Sequence, residues 1–334
     1  MAKTRVVITD YIEPNLEWEQ KQFEQMGVDF AYYQLKFGTP EQILEATTGA
    51  DVVIANMADM NARVIEGLDR CRLIIRHGIG YDNIDVETAT RRGIVVAIEP
   101  DYCVLEVAEQ AVMLIFACQR KLLRQRALLR QWVDTNDYAA EMVRPIHRLH
   151  GKTVGILGFG RTGHAVYQML QGMDLKFLIC DPYISEARKK DFGIRTASLE
   201  EVLKESDVVT IHTPLIKETH HLIDGPQFKL MKKTAILVNT ARGPIVNQDA
   251  LDRALREGEI AHAGIDVYQT EPPPPDLPLL NNENAICTPH SSWYSEEAGW
   301  IIRQDIVEDV KLFLQDQGPK NQVNPEIQLR SDTG

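Results

Sequence analysis

Short runs rich in Val and Ile alternate with amphipathic stretches along almost the whole chain. Arg5–Asp10, Phe30–Leu35, Asp51–Asn56, Arg72–Arg76 and Ile94–Ile98 read as a first series of strands. A second series begins at Lys152–Leu157 and continues with Lys176–Cys180, Val208–His212, Ala235–Asn239, Ala263–Val267 and Ala285–Cys287. Strands separated by helical stretches in this way predict parallel sheets covered by helices. Between the two series the pattern predicts one long helix from Cys103 to about Trp132. It is apolar up to Leu123, and its later half carries Lys121, Arg124, Arg126 and Arg130, the pattern of a solvated helix face. The last helix, about Ser295 to Gln315, spaces Ala298, Ile302, Ile306, Val310 and Leu314 four apart, which is a packing stripe. The Pro272–Pro275 run reads as a stiffened loop.

Composition narrows the class. The 334 residues suffice for two domains, and 44% hydrophobic with 25% charged residues is the mix of a soluble globular protein. The formal net charge of -12 repels nucleic acid and anionic membrane, so neither is an expected partner. The longest apolar run, Ala111 to Cys118, is too short to cross a bilayer. Met1 to Thr4 lead straight into a strand, so no signal peptide is expected. The five cysteines are scattered without a CxxC, which argues against a disulfide framework or zinc site and for a cytoplasmic location.

A cofactor site is written into the second series. Gly158-Phe159-Gly160-Arg161-Thr162-Gly163 follows the strand Val154–Leu157 and opens a helical stretch from His164. The next strand ends in Asp181, 18 residues after Gly163. That context is a dinucleotide-binding βαβ unit. Gly158 serves the tight turn, Gly160 lets backbone approach the pyrophosphate, and Gly163 lets the helix pack close to its strand. The helix N-terminus offers unpaired N–H groups to the phosphates. Asp181 can accept hydrogen bonds from a ribose 2′-OH and would repel a 2′-phosphate. Pro182-Tyr183-Ile184 supplies no cation to offset that repulsion, so the cofactor reads as NAD over NADP.

Three polar residues follow strands of this series. Arg242 ends Leu237-Val-Asn-Thr-Ala-Arg-Gly243, Glu271 lies shortly after Gly264-Ile-Asp-Val267, and His290 ends Cys287-Thr-Pro-His290. In an open parallel sheet the strand C-termini line the ligand crevice, so all three can converge beside a nicotinamide. Taken singly, each has an ordinary alternative: a surface ion pair for Arg242 and Glu271, a capping or core histidine for His290. Asp, Glu and His lack ligand spacing, so no metal is called for.

Along nearly its whole length the chain resembles the D-isomer-specific 2-hydroxyacid dehydrogenases. Leu237–Gly243, Gly264–Val267 through Thr270-Glu-Pro272, and Thr288-Pro-His290 are similar to that family's signature blocks, and His77-Gly-Ile-Gly-Tyr-Asp-Asn-Ile-Asp85 is similar to its substrate loop. Within the family, Arg76–Gly80 and Thr288–Glu296 look most like the C-terminal-binding-protein branch, whose animal members are NAD(H)-dependent corepressors. The resemblance implies a Rossmann NAD-binding domain, about 99–291, inserted into a flavodoxin-like substrate domain of about 1–98 and 292–334. It implies hydride transfer between nicotinamide C4 and substrate C2 in a cleft between those domains. Arg242 would bind and polarise a 2-oxo acid, His290 would act as acid and base, and Glu271 would orient the imidazole and favour its protonated form. Backbone N–H groups of Ile79 and Gly80 would hold the substrate carboxylate, and Arg76 and Trp293 would shape the pocket. A buried core position is the alternative for Trp293. Thr213, Pro214, Thr219, Thr240, Ala241 and Asp266 would line the cofactor cleft. The family commonly forms homodimers through the cofactor domain.

Two positions depart from the family pattern, Ile98 where Asn is usual and Val104 where a small polar residue or an acid is common. Glu271 stands where formate dehydrogenases of the superfamily carry Gln, which argues against formate. A different class of function is an NAD(H)-sensing scaffold or corepressor. The chain ends soon after Asn324-Pro325, without the long tails of those animal proteins, which favours the enzyme.

Overall fold

A computed structural model describes residues 3–136 and 143–329. The chain divides into two compact units, Met1–Cys103 with Ser295–Gly334, and Val104–Tyr294.

In the first unit five parallel strands, β1 (Arg5–Ile8), β2 (Asp29–Tyr32), β3 (Val52–Ala55), β4 (Leu73–Arg76) and β5 (Val95–Ile98), lie in the order β2-β1-β3-β4-β5. This is the flavodoxin-like winding. The crossover helices begin where local chemistry starts a helix. Thr39 and Gln42 form a capping box ahead of Pro40–Thr47, and Asn61 and Asp85 cap Ala62–Gly67 and Val86–Arg92. Alternating side chains of the strands fill both faces: Val7, Val53, Ile74 and Val96 pack in one cluster, while Val6, Val52, Leu73 and Val95 are buried away from it. The last helix, Glu296–Leu314, buries Ala298, Ile302, Ile306 and Val310 as its stripe predicts, with Phe313 rather than Leu314 closing the row. Beyond it the chain returns to the free edge of β5, where Val323 N–H donates to the Val96 carbonyl (2.8 Å) and the Asn324 side chain accepts from Val96 N–H (2.9 Å).

Glu99, one residue past β5, is 1% exposed and shares this corner with Asp305, Asp309 and Lys320. Burial, reinforced by the Asp309 and Asp305 carboxylates, pushes its carboxyl up to about 9. Burial also pushes Asp309 up to about 6. A carboxyl raised on folding stabilises below its unfolded value and loses that contribution as pH rises through the folded one. The melting temperature is therefore expected to fall as pH rises from about 5 towards about 9. Glu99→Gln should flatten that fall and raise Tm at pH 8, by roughly 2–4 °C per kcal/mol released. Thermal melts across pH measure it, and an unchanged slope would reject the assignment.

The second unit holds six parallel strands, β6 (Thr153–Leu157), β7 (Lys176–Cys180), β8 (Val208–Ile211), β9 (Ile236–Asn239), β10 (His262–Ile265) and β11 (Ala285–Cys287), in the order β11-β10-β9-β8-β6-β7. The winding reverses between β6 and β8, so a crevice opens at the C-terminal ends of those strands. Val154, Ile156, Ile236 and Val238 face a core completed by Leu114, Ile115 and Val166. Leu157, Val209, Ile211 and Leu237 face the opposite core.

The single long helix expected after Cys103 is two helices, Val104–Gln119 and Leu122–Thr135. Lys121 between them has φ 51°, a left-handed conformation through which a right-handed helix cannot continue. The last buried position of the first helix is Cys118, and the second helix buries no residue. Nothing on the sheet therefore holds the rod straight. Among the described residues no helix is long and apolar enough to cross a membrane, and no cluster of three or more His, Cys, Asp or Glu could hold a metal.

Candidate active site

The C-terminal ends of β9, β10 and β11 are neighbours, and each is followed by a loop carrying one of the three expected polar residues. The first loop is shaped by Asn239, a residue that sequence reasoning overlooked. Its side chain accepts from Ala241 N–H (3.0 Å) and donates to the Arg242 carbonyl (2.9 Å), pinning the turn that presents Arg242. The half-buried Arg242 guanidinium donates to the Ala241 carbonyl (2.8 Å). At Gly243 the loop runs so close to the Tyr268 peptide that any Cβ would overlap it.

Glu271 and His290 form the centre of this edge. His290 Nδ1 lies 2.6 Å from Glu271 Oε2, and Glu271 Oε1 accepts from Tyr268 N–H (3.0 Å). Burial alone would raise the Glu271 carboxyl. The hydrogen bond and charge of His290, the Tyr268 amide and the Arg242 guanidinium outweigh it and hold the group below its ordinary value. Glu271 is thus an anion. A carboxylate at Nδ1 orients the ring so that Nε2 is the nitrogen left for chemistry.

His290 has φ 53° and needs external support to keep that backbone. Asp266 supplies it from below. Its carboxylate accepts from the Thr288 hydroxyl (2.5 Å) and from the N–H groups of Ser291 (3.1 Å) and Ser292 (2.9 Å), bracketing His290 on both sides. Tyr268 O–H donates to the Thr288 carbonyl (2.8 Å), and Gln110 donates to the Thr288 hydroxyl (3.1 Å). Asp266 has no exposed surface. Three donors of one loop converge on its carboxylate, which ties Asp266 to this turn. Trp293 is half-buried and packs edge-to-face on Tyr294 (5.3 Å between centroids), so it is not a core aromatic.

The glycine-rich turn follows β6 at the winding reversal. Gly158 has φ 88°, and a Cβ there would lie 2.7 Å from the His212 carbonyl oxygen. A Cβ on Gly163 would overlap the Gly158 carbonyl, whereas one on Gly160 would meet nothing within 4 Å. Gly160 also gives the helix Arg161–Leu170 an N-terminus without a side-chain cap. Its amides and the open space above Gly160 fit a pyrophosphate. Asp181 accepts from Phe159 N–H (2.7 Å) and Tyr183 N–H (2.8 Å), one on each oxygen. A carboxylate has about four lone-pair sites, so capacity for a ribose diol is left over.

Beside the turn lies His212, also overlooked in the sequence. It is half-buried overall, but burial of its ring pushes it down to about 3, so it is neutral and bonds Thr210 Oγ1 (2.8 Å). The Thr219 hydroxyl is taken up by its own loop, donating to the Pro214 carbonyl (2.7 Å) and accepting from Ile216 N–H (2.8 Å). Thr240 keeps a buried hydroxyl with no hydrogen-bond partner, and Thr213 and Ala241 are half-buried.

In the other unit, Ile79 and Gly80 are half-buried in the loop after β4. Arg76 folds back over Gly78, bonding the His77 carbonyl and, at 3.4 Å, Asn56 Oδ1.

Comparison with known proteins matches this architecture. Residues 112–292 match the family model described as D-isomer specific 2-hydroxyacid dehydrogenase, NAD binding domain. The chain is similar to a glyoxylate reductase of Korarchaeum cryptofilum, with 37% identity over 286 residues covering 85% of this chain and 86% of that one. It is similar to a glyoxylate reductase of Aeropyrum pernix at 36% identity, covering 98% of each. Among solved structures, a D-lactate dehydrogenase from Aquifex aeolicus complexed with NAD and lactic acid superposes with TM-score 0.84 at 28% identity, over 96% of this chain and 99% of that one. The chain belongs to the D-isomer specific 2-hydroxyacid dehydrogenase family. It is an NAD-dependent oxidoreductase of that class.

Proposed function

We propose that this protein reduces a small 2-oxo acid to the D-2-hydroxy acid with Arg242, Glu271 and His290 as its catalytic set. The observation that carries the reading is the 2.6 Å contact between His290 Nδ1 and Glu271, on the same strand edge as Arg242. Bound NADH supplies the hydride to substrate C2. His290 delivers the proton to the developing alkoxide from Nε2 and takes it back in oxidation. Arg242 draws charge onto the C2 oxygen or the carboxylate through charge-assisted bonds. Ile79 and Gly80 hold the carboxylate by their amides, and Trp293 and Arg76 shape the room for the substrate side chain. The glyoxylate reductases and the lactate dehydrogenase named above make glyoxylate and pyruvate the first acids to try.

The turn Gly158 to Gly163 would hold the pyrophosphate, with Arg161 and Thr162 at the helix N-terminus facing it and Phe159 N–H tying the turn to Asp181. Thr213, Pro214, Thr240 and Ala241 line the remainder, while Thr219 and Asp266 hold the loops that do so. The first compact unit is read as the substrate domain and the second as the cofactor domain, within about five residues of the expected 1–98 with 292–334 and 99–291. A homodimer forms through the cofactor domain, where the helix Leu122–Thr135 exposes Leu122, Leu129, Trp132 and Val133. The protein works in the cytoplasm and binds no nucleic acid.

Turnover of a panel of 2-oxo acids with NADH tests the reading, and absence of turnover with every acid would refute it. The cofactor preference rests on Asp181. NADH is expected to be used more efficiently than NADPH, and Asp181→Ala should narrow that ratio by about tenfold, since it removes both an acceptor and a repulsion. Equal efficiency of the two cofactors in the wild type would reject the role given to Asp181.

A further inference from the structure

A buried imidazole–carboxylate pair also lies in the first unit. His77 Nε2 is 2.9 Å from Glu13 Oε1, and the two side chains are 10% and 9% exposed. Such burial distinguishes the pair from the surface bridges of this chain, which contribute little. Burial would raise the Glu13 carboxyl, but the hydrogen bond and charge of His77 and the nearby backbone amides bring it down to about 2. Glu13 is therefore an anion at every working pH, hydrogen-bonded to the His77 ring.

His77 is the first residue after β4, at the root of the loop that carries Ile79 and Gly80. Its N–H donates to the Ala55 carbonyl (2.9 Å), and its carbonyl takes the Arg76 guanidinium. That guanidinium lies where a Cβ of Gly78 would be. Gly78 itself has φ 142° and bonds on both sides, N–H to the Arg76 carbonyl (2.8 Å) and carbonyl to Glu99 N–H (3.1 Å). The ring of His77 is thus a side-chain hold at the root of this loop, as the Asn83 amide, donating to the Asn56 and Ala58 carbonyls, is further along it. Glu13 reaches it from the loop after β1, which Asp10 in turn ties to the loop after β3 through Asn56, Met57 and Ala58 N–H (2.7–3.2 Å).

We infer that Glu13 and His77 are positioning residues, which set the amides of Ile79 and Gly80 at the angle that grips the substrate carboxylate. This rests on the carboxylate-holding role given to those amides above. Neither residue donates or accepts a proton in turnover. The pair acts on substrate binding, so its loss appears in KM rather than kcat.

The test is steady-state kinetics of the full chain with NADH and glyoxylate or pyruvate. The forms compared are wild type, Glu13→Gln, His77→Ala, His77→Gln and the double variant Glu13→Gln/His77→Ala. KM for the acid should rise about tenfold in Glu13→Gln and in His77→Ala, with kcat within about twofold and KM for NADH unchanged. His77→Gln, whose amide can still donate to Glu13, should recover most of the loss. The double variant should be no worse than the poorer single one. If His77→Ala fails to fold, Glu13→Gln and His77→Gln decide alone. A KM for the acid that stays within about twofold of wild type in Glu13→Gln, whatever happens to its melting temperature, makes the pair structural and overturns the inference. A wild type that turns over no 2-oxo acid brings down the reading of the active site and this inference with it.

Discussion

His290→Ala should cut turnover of a 2-oxo acid by roughly 10²–10⁴-fold, the usual worth of a positioned acid or base. NADH binding should change little, because His290 follows β11 whereas the glycine-rich turn that would hold the pyrophosphate follows β6. The loss belongs to kcat and kcat/KM together, since the proton is needed only as the alkoxide develops. Glu271→Gln keeps a polar group of similar shape at Nδ1 but removes its charge. A hydrogen bond to a charged group contributes about 1.5–3 kcal/mol, so a loss of roughly tenfold to a hundredfold follows. The Glu271 carboxyl is depressed in the folded protein, so its contribution is complete above the ordinary carboxylate range and is lost as pH falls through the depressed value. The acid limb that this produces in the wild-type pH–rate profile should vanish in Glu271→Gln. NADH titration and pH–rate profiles in both directions are the measurements. Full activity in His290→Ala would remove the assignment altogether.

Arg242→Ala should lower kcat/KM by about 10²–10³-fold, the cost of removing one donor aimed at developing negative charge. Arg242→Lys should restore only a minor part, because an ammonium cannot reproduce the planar fork that meets a carboxylate or a carbonyl beside it. The structure adds a control. Asn239 is buried and pins the turn, so Asn239→Ala should give a smaller loss that reports misplacement of Arg242 rather than its absence. Kinetics of the three variants, with melting temperatures alongside, separate the cases. Arg242→Ala with kcat/KM within a few-fold of wild type would exclude Arg242 from the chemistry.

Much of the site could be read along the chain because each of its residues follows an apolar strand. A strand that ends in a polar loop within a parallel sheet can place that loop in only one crevice. That Arg242, Glu271 and His290 gather at the ends of neighbouring strands was legible for that reason, and the turn of Gly158, Gly160 and Gly163 because its spacing is itself a backbone requirement. Residues that hold those groups in place were not. Asn239 sits inside a strand-like run and Asp266 in another, and neither composition nor period marks a side chain whose task is to bond a neighbouring loop. Glu13 and His77 lie 64 residues apart, and only the adjacency of β1, β3 and β4 brings their loops together.

The sequence by itself determined the two series of buried strands, their parallel class, the nucleotide turn and the packing stripe of the last helix. All of these are local or periodic, and burial of apolar surface enforces them wherever the segment lies. The order of the strands came only from the tertiary structure. Both sheets place the second strand at one edge and reverse after the first, a likeness invisible in side chains, since any buried strand can neighbour any other. The break at Lys121 was likewise a tertiary decision. The apolar face that would have kept one rod on the sheet ends at Cys118, and once nothing is left to pack against, a single left-handed residue is enough to turn the helix away.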